Sequence, residues 1–327
     1  MSGALAQARR VIASPVGRVL LALALMLVLG VVFNADGAFL SWTTHRDMLR
    51  QVSVYGMLAC GMTIVIVTGG IDLSVSSVLG AAAVGFSLLT IHEQWSGPAA
   101  IALVLIGGAA AGAMSGALVG HLKIQSFIVT LAAMVLLRGF AKYLSGGQKI
   151  STYVQETGQV MDLPGIFSRI DARVLGDTVP IVTLVFLGCV LLTAFVLRQL
   201  RLGRYLYATG GNAEAARLSG VPVARVLVLA YALSGLFAAV AGVCQAAQEQ
   251  QGDPETGMGY ELQAIAMVVI GGTDLAGGRG GITLTLVGVL TIGYLQKILS
   301  INAVGEASRL MLTGAIIVCA VLLQRRK

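Results

Sequence analysis

The chain has 327 residues, 57% of them hydrophobic and 11% charged, with a formal net charge of +7. A soluble domain carries about 25% charged residues, so a water-soluble globule is excluded, and no polar stretch leaves room for a separate catalytic domain. The basic excess does not mark a nucleic-acid binder, because Lys and Arg stand beside the ends of apolar segments and form no patch interleaved with aromatics.

A helical crossing of the lipid core takes about 20 apolar residues. At the N-terminus, Arg9, Arg10 and Arg18 precede the apolar run Val19 to Phe33. This run is longer than a signal-peptide core of about 7–15 residues and has no small-x-small cleavage site after it, so it reads as an uncleaved first helix. In chain order the predicted segments are Gly17–Asn34, Gln51–Thr68, Leu73–Ile91, Pro98–Gly120, Ile124–Leu144, Val179–Leu197, Val226–Gln245, Tyr260–Gly271, Ile282–Leu299 and Ala307–Leu323. The eighth is too short to span alone. The longest polar stretch, Ser145 to Asp177, is loop-sized. The expected fold is all-α: residues 1–327 form a single polytopic membrane helix bundle of about ten transmembrane helices.

An even number of crossings puts both termini on one side, and charge tests which side. Cytoplasmic loops hold the excess of Lys and Arg. With the termini cytoplasmic, that side holds Arg9, Arg10, Arg18, Lys123, Arg198, Arg201, Arg204, Arg217, Arg225, Arg279, Arg325, Arg326 and Lys327 against Asp72, Glu214 and Asp274. The other side holds six basic and eleven acidic residues. A register shifted by one crossing destroys this segregation.

Small residues recur as Gly107-Gly108-Ala109-Ala110-Ala111-Gly112 and Gly112-x-x-x-Gly116-x-x-x-Gly120. This spacing lets membrane helices approach closely, so it reads as packing and not as a pathway lining. Val67-Thr68-Gly69-Gly70-Ile71-Asp72-Leu73-Ser74 is echoed by Val269-Ile270-Gly271-Gly272-Thr273-Asp274-Leu275-Ala276. Each ends a helix with a Gly-Gly break and an acid, as in related halves with interrupted helices.

Leu144-Ser145-Gly146-Gly147-Gln148 spells the signature loop of ATP-binding-cassette ATPases, but no G-x-x-x-x-G-K-[ST] phosphate loop accompanies it anywhere in the chain. The register also places it outside the cell, so it reads as a helix end. His45, His92 and His121 are scattered over both faces, and Cys60, Cys189, Cys244 and Cys319 lie inside apolar segments without metal-ligand spacing. No metal site, bound cofactor or catalytic residue is expected.

The longest cytoplasmic stretch, 198–225, contains Gly210-Gly211-Asn212-Ala213-Glu214-Ala215-Ala216-Arg217-Leu218-Ser219-Gly220-Val221-Pro222. Asn212 suits an N-cap, Ala213 to Leu218 form helix well, and Gly220 with Pro222 stops it. A two-turn helix is too short to be stable alone in water; it is either a solvated loop helix or one that docks on another protein.

This stretch, the run Gly259-Tyr260-Glu261-Leu262-Gln263 through Gly271-Gly272-Thr273-Asp274-Leu275-Ala276-Gly277-Gly278-Arg279-Gly280, the earlier Gly69 to Val75 and Leu122 to Leu131 together resemble the ribose-type permease subunits of monosaccharide ABC importers. The likeness runs in order over nearly the whole chain. It departs from the family pattern at Ser76, where Gly is usual, at Gln263, where Asp is frequent, and over Gln296 to Glu306. The resemblance implies an inner-membrane permease that dimerises with itself or a paralogous permease and receives sugar from a periplasmic binding protein. A cytoplasmic ATPase subunit holding Mg-ATP would drive it. Gly210, Gly211, Asn212, Ala213, Glu214, Ala215, Ala216, Arg217, Leu218 and Gly220 would then form the coupling helix. A permease for a nucleoside or amino acid, or a secondary transporter working without an ATPase, is the competing reading.

A polar solute needs hydrogen-bonding groups at membrane depth. Gln245 and Gln263, with Glu261, are expected to line the path, whereas Gln248 to Gln251 are either part of it or an external loop. Asp72 and Asp274 either line the path or cap the segment that follows them. Arg138, in an otherwise apolar helix, either snorkels outward or is paired internally.

Overall fold

The computed structural model describes residues 14–154, 158–305, 307–312 and 314–315. Helix α1 (Pro15–Val32) starts where the Ser14 hydroxyl accepts the Gly17 N–H, with Pro15 at its first position. There follow α2 (Trp42–Val67), α3 (Val75–Ser87, prolonged by a π turn to His92), α4 (Gly97–His121) and α5 (Ser126–Leu144). The polar segment after α5 folds into two two-residue hairpins, β1–β2 and β3–β4, on either side of the short α6 (Gly165–Ile170). Then come α7 (Ile181–Gln199), α8 (Arg201–Gly211), α9 (Ala213–Leu218), α10 (Val223–Glu249), α11 (Tyr260–Ile270) and α12 (Ile282–Ile301).

Seven of these helices, α2, α3 with its π turn, α4, α5, α7, α10 and α12, are long and apolar enough to cross a membrane. The chain is therefore a polytopic helical membrane protein. Helices α1 and α11 are shorter. In the last predicted segment, residues 307–312 and 314–315 are helical, and the rest of it, with Cys319, lies outside the described residues.

Helix α2 is the central column. Every residue from Gly56 to Val67 is buried, as befits a helix that is apolar all round and enclosed by others. It starts nine residues before the predicted Gln51, because its polar first turns are held from outside. Arg50 donates two hydrogen bonds to Asp171, at 2.6 and 2.7 Å, and Arg46 reaches Asp177 at 3.3 Å. Apolar side chains on α4 and α5 face outward instead, with Ile106 66%, Val135 64% and Leu136 60% exposed. Such surface suits lipid and not water.

The glycine pattern of α4 separates into two kinds. A Cβ on Gly112 would sit 2.1 Å from the Tyr231 carbonyl oxygen of α10, and one on Gly116 2.7 Å from the Val228 Cα; Gly108 and Gly120 meet α10 in the same way. Gly107, in the same small-residue run, has open space around it. The packing reading thus holds for one helix face, where backbone lies against backbone. Replacing Gly112 by Val is expected to destabilise the α4–α10 contact by at least about 1–3 kcal/mol, whereas Gly107→Ala leaves it intact. Thermal unfolding of the detergent-purified protein measures both; equal midpoints for the two variants would contradict this packing.

Candidate functional site

Two places in the bundle carry polar or strained features beyond packing. They stand at different levels of the same column, α2.

At the C-terminal end of α2, three turns meet. After Val67 the chain makes a Schellman turn, with the Gly70 N–H reaching the Val65 carbonyl and Gly69 at φ +81°. The echoed motif repeats this with a one-residue offset. In α11 the Thr273 N–H reaches the Val268 carbonyl, and the left-handed residue is Gly272, φ +83°. The two turns touch, since the Gly278 N–H donates to the Val67 carbonyl oxygen at 2.9 Å. Gly210, in the last turn of α8, lies over the same pair: a Cβ there would be 1.9 Å from the Val67 oxygen and 2.6 Å from the Gly278 nitrogen. Tyr207 adds a hydrogen bond from its hydroxyl to the Gly280 carbonyl, 2.9 Å. Loop 198–225 is thereby fastened to both interrupted segments through backbone contacts that only glycine permits.

Helix α9 has the limits read from the sequence, Ala213–Leu218, and the Asn212 side chain caps it by accepting the Ala215 N–H at 2.9 Å. Gly220, at φ +86°, ends it. The loop also holds α8, a helix that its Gly203, Gly210 and Gly211 argue against by propensity; close packing overrides that propensity. Glu214 and Arg217 pair on the exposed face at 2.6 and 3.0 Å, and the Arg217 guanidinium holds the Glu214 carboxyl below its ordinary pKa. Ala216 is buried, while Leu218 is 74% exposed. Between α9 and the α4–α5 turn lies a cavity of about 1040 Å³ whose lining includes Lys123, Ser126, Glu214, Arg217 and Tyr231.

The second place is a pocket of about 250 Å³ beside the first half of α2. It brings together the predicted Gln245 and Gln263, and adds Gln51 and Tyr55 of α2, Gln248 of α10, Tyr260 of α11, Gln296 and Ser300 of α12, and Arg309. The Gln296 Nε2 donates to the Gln263 Oε1 at 2.9 Å. Gln245 is bonded to Glu249 at 2.6 Å, and Gln248 to the Arg50 carbonyl at 3.1 Å. The Tyr55 and Tyr260 rings meet with centroids 4.4 Å apart. Gln51 and Gln296 stand inside predicted spans; an amide at membrane depth was the available signal for them.

The other predicted residues lie elsewhere. Asp72 is 1% exposed. Its Oδ1 accepts the Ser74 N–H at 3.0 Å and the Ser74 hydroxyl at 2.6 Å, and its Oδ2 accepts the Ser234 hydroxyl at 2.8 Å. Asp274 accepts the Ala276 N–H at 3.0 Å and is partly exposed. Each carboxylate thus caps a turn two residues on, and neither touches the pocket. Glu261 is half-buried outside it, and its Oε2 has no hydrogen-bond partner among the described residues. Arg138 points inward: its guanidinium donates to the carbonyls of Pro254 (2.5 Å), Thr256 (2.8 Å) and Ser76 (3.2 Å). It pins the non-helical segment before α11 to the start of α3. Leu144 ends α5 and Ser145 to Gln148 turn out of it, with Gly146 and Gly147 left-handed. They stand opposite the loop 198–225.

The family described as "Branched-chain amino acid transport system / permease component" matches residues 44–321. The chain is 39% identical over 307 residues to the ribose import permease protein RbsC of Escherichia coli (strain K12), covering 93% of this chain and 92% of that protein. It is 38% identical over 308 residues to RbsC of Bacillus subtilis (strain 168), covering 93% and 92%. To the L-arabinose transport system permease protein AraH of Escherichia coli (strain K12) it is 32% identical over 309 residues, covering 93% and 90%. No solved structure gives a significant match. With a buried column, lipid-suited flanks and this likeness over nearly its full length, the chain belongs to the permease-component family and, within it, to the ribose-type permeases, a transport subunit and not an enzyme.

Proposed function

We propose that this chain is the membrane-spanning permease subunit of an ATP-driven monosaccharide importer in a bacterial inner membrane. The family description names an amino-acid system, whereas the relatives that align over more than nine-tenths of the chain are ribose and L-arabinose permeases. Full-length identity at that level weighs more than a family-wide label. The charge asymmetry supports about ten crossings with both termini cytoplasmic, placing loop 198–225 on the cytoplasmic side.

In this reading a separate ATPase subunit holds Mg-ATP and seats α9, a periplasmic binding protein delivers the sugar, and a second permease copy or paralogue completes the channel. The single observation that carries the coupling role is the contact of Gly210 with Val67 and Gly278. A helix of two turns that exposes Leu218 and an ion pair gains stability by docking. Its displacement has a direct mechanical route. It passes from α9 through α8 to the ends of α2 and α11, and these same two helices carry Tyr55, Tyr260 and Gln263 into the pocket. Backbone packed on backbone cannot absorb movement as a flexible side chain does, so a push on α9 is transmitted to the polar pocket as a two-state shift.

Uptake of D-ribose, D-xylose or L-arabinose into proteoliposomes is expected only when the ATPase subunit, ATP and the binding protein are all present; uptake by the permease alone would sink the proposal. Within that assay Gly210→Val, which forces α8 off Val67, is expected to cut coupled uptake by about tenfold or more, the effect of about 1.4 kcal/mol, with ATP hydrolysis retained. Gly107→Ala, which meets open space on α4, is the control. Glu214→Lys places a like charge against Arg217 and is expected to lower the affinity for the ATPase subunit, read as loss of co-purification; wild-type recovery would remove Glu214 from the docking face.

A further inference from the structure

The pocket beside α2 has a chemistry more specific than polarity. Five glutamine side chains enter its lining from three helices and the start of a fourth, and no carboxylate does so among the described residues; its cationic member is Arg309. An amide carries both donors and acceptors, as a hydroxyl does, and neither ionises. A carboxylate or ammonium solute entering a low-dielectric bundle needs an opposite charge to replace its hydration, and a zwitterion needs one of each sign. The pocket lacks the negative half of such a set. Its volume, about 250 Å³, falls below the roughly 300–1,000 Å³ of sites for drug-sized ligands.

The Gln263–Gln296 pair is the centre of this arrangement. One amide hydrogen bond joins the two, which leaves an NH2 donor on one side chain and a C=O acceptor on the other, whichever way the amides are oriented. Neighbouring hydroxyls on a sugar ring, one donating and one accepting, match this donor–acceptor couple. The Tyr55 and Tyr260 rings stand beside it and supply an apolar wall for the C–H face of a ring. Gln245 and Gln248 are held by Glu249 and by the Arg50 carbonyl, so their amides are oriented in advance.

We infer that this pocket is a transit site for a neutral polyhydroxyl ring, with the Gln263–Gln296 pair as its specificity-determining contact. The inference rests on the importer reading and adds the site and the charge selection. The two residues lie on α11 and α12, whose inner turn carries the junction with α2, so their amide bond is a point where the coupling movement can make or break a solute contact.

The test uses the complete importer in proteoliposomes, with labelled D-ribose, D-xylose and L-arabinose as probes and D-glucosamine, an ammonium-bearing sugar for which the pocket offers no carboxylate, as a charged competitor. Gln263→Leu and Gln296→Leu are each expected to reduce uptake of the transported pentose by about tenfold, with permease abundance and binding-protein-stimulated ATP hydrolysis unchanged. The double substitution is expected to be no worse than the more damaging single one, because the pair acts as a unit. Gln296→Asn, which keeps an amide, should recover part of the loss even if the Leu variants assemble poorly. D-glucosamine should not compete. Uptake within twofold of the parent in both Leu variants, or a loss in Gln296→Leu that Gln296→Asn does not partly restore, would overturn the site; effective competition by D-glucosamine would overturn its selection against cationic solutes. If the unsubstituted importer moves none of the three pentoses but transports an amino acid, the monosaccharide reading falls together with this inference.

Discussion

In hydrocarbon a peptide group has no water to bond, and each unpaired N–H or C=O costs several kcal/mol. That constraint decides where this chain can depart from helix. Its non-helical segments inside the bundle, 68–74 and 250–259, are both tied down by polar side chains that the bundle encloses. Asp72 gathers the Ser74 amide and two hydroxyls around one carboxylate. Arg138 spends three hydrogen bonds on carbonyls of Pro254, Thr256 and Ser76. Without these two groups backbone polar groups at those points would lose their partners, and the interruptions would be too costly to keep.

The same interruptions create the contact surface for motion. A continuous helix presents side chains to its neighbours, whereas a helix that stops at Gly-Gly presents bare backbone. At Val67 the bare ends of α2 and of the α11–α12 turn are pressed together and covered by Gly210. A chain of three backbone contacts therefore runs from the loop that carries α9 to the helices that line the glutamine pocket. Local stiffness at the junction and polar adaptability in the pocket are complementary: the first transmits displacement, and the second offers amides that exchange partners at small cost.

The two halves of the Gly-Gly echo are related but not superposable residue by residue. Their turns have the same hydrogen-bond pattern, displaced by one position, and their acids differ in fate: Asp72 is sealed at the α2–α10 contact, and Asp274 remains partly exposed. Similar local chemistry thus serves a buried strut in one half and a surface turn in the other, because the helices packed around each are different.

Much of this molecule is legible in the amino-acid order, because hydrophobic length, charge asymmetry and helix punctuation are local properties. The membrane class, most segment centres, the cap at Asn212 and the end at Gly220 all follow from them. Helix ends such as the early start of α2 do not, since they depend on Asp171 and Asp177, more than a hundred residues away. Nor could spacing tell Gly107 from Gly112, choose between an outward and an inward Arg138, or unite Gln51 with Gln296. Those outcomes are set by which surfaces meet. A side chain's partner across the bundle is a property of the packed helices, and only the tertiary structure brings the glutamines into one pocket and the glycines to one carbonyl.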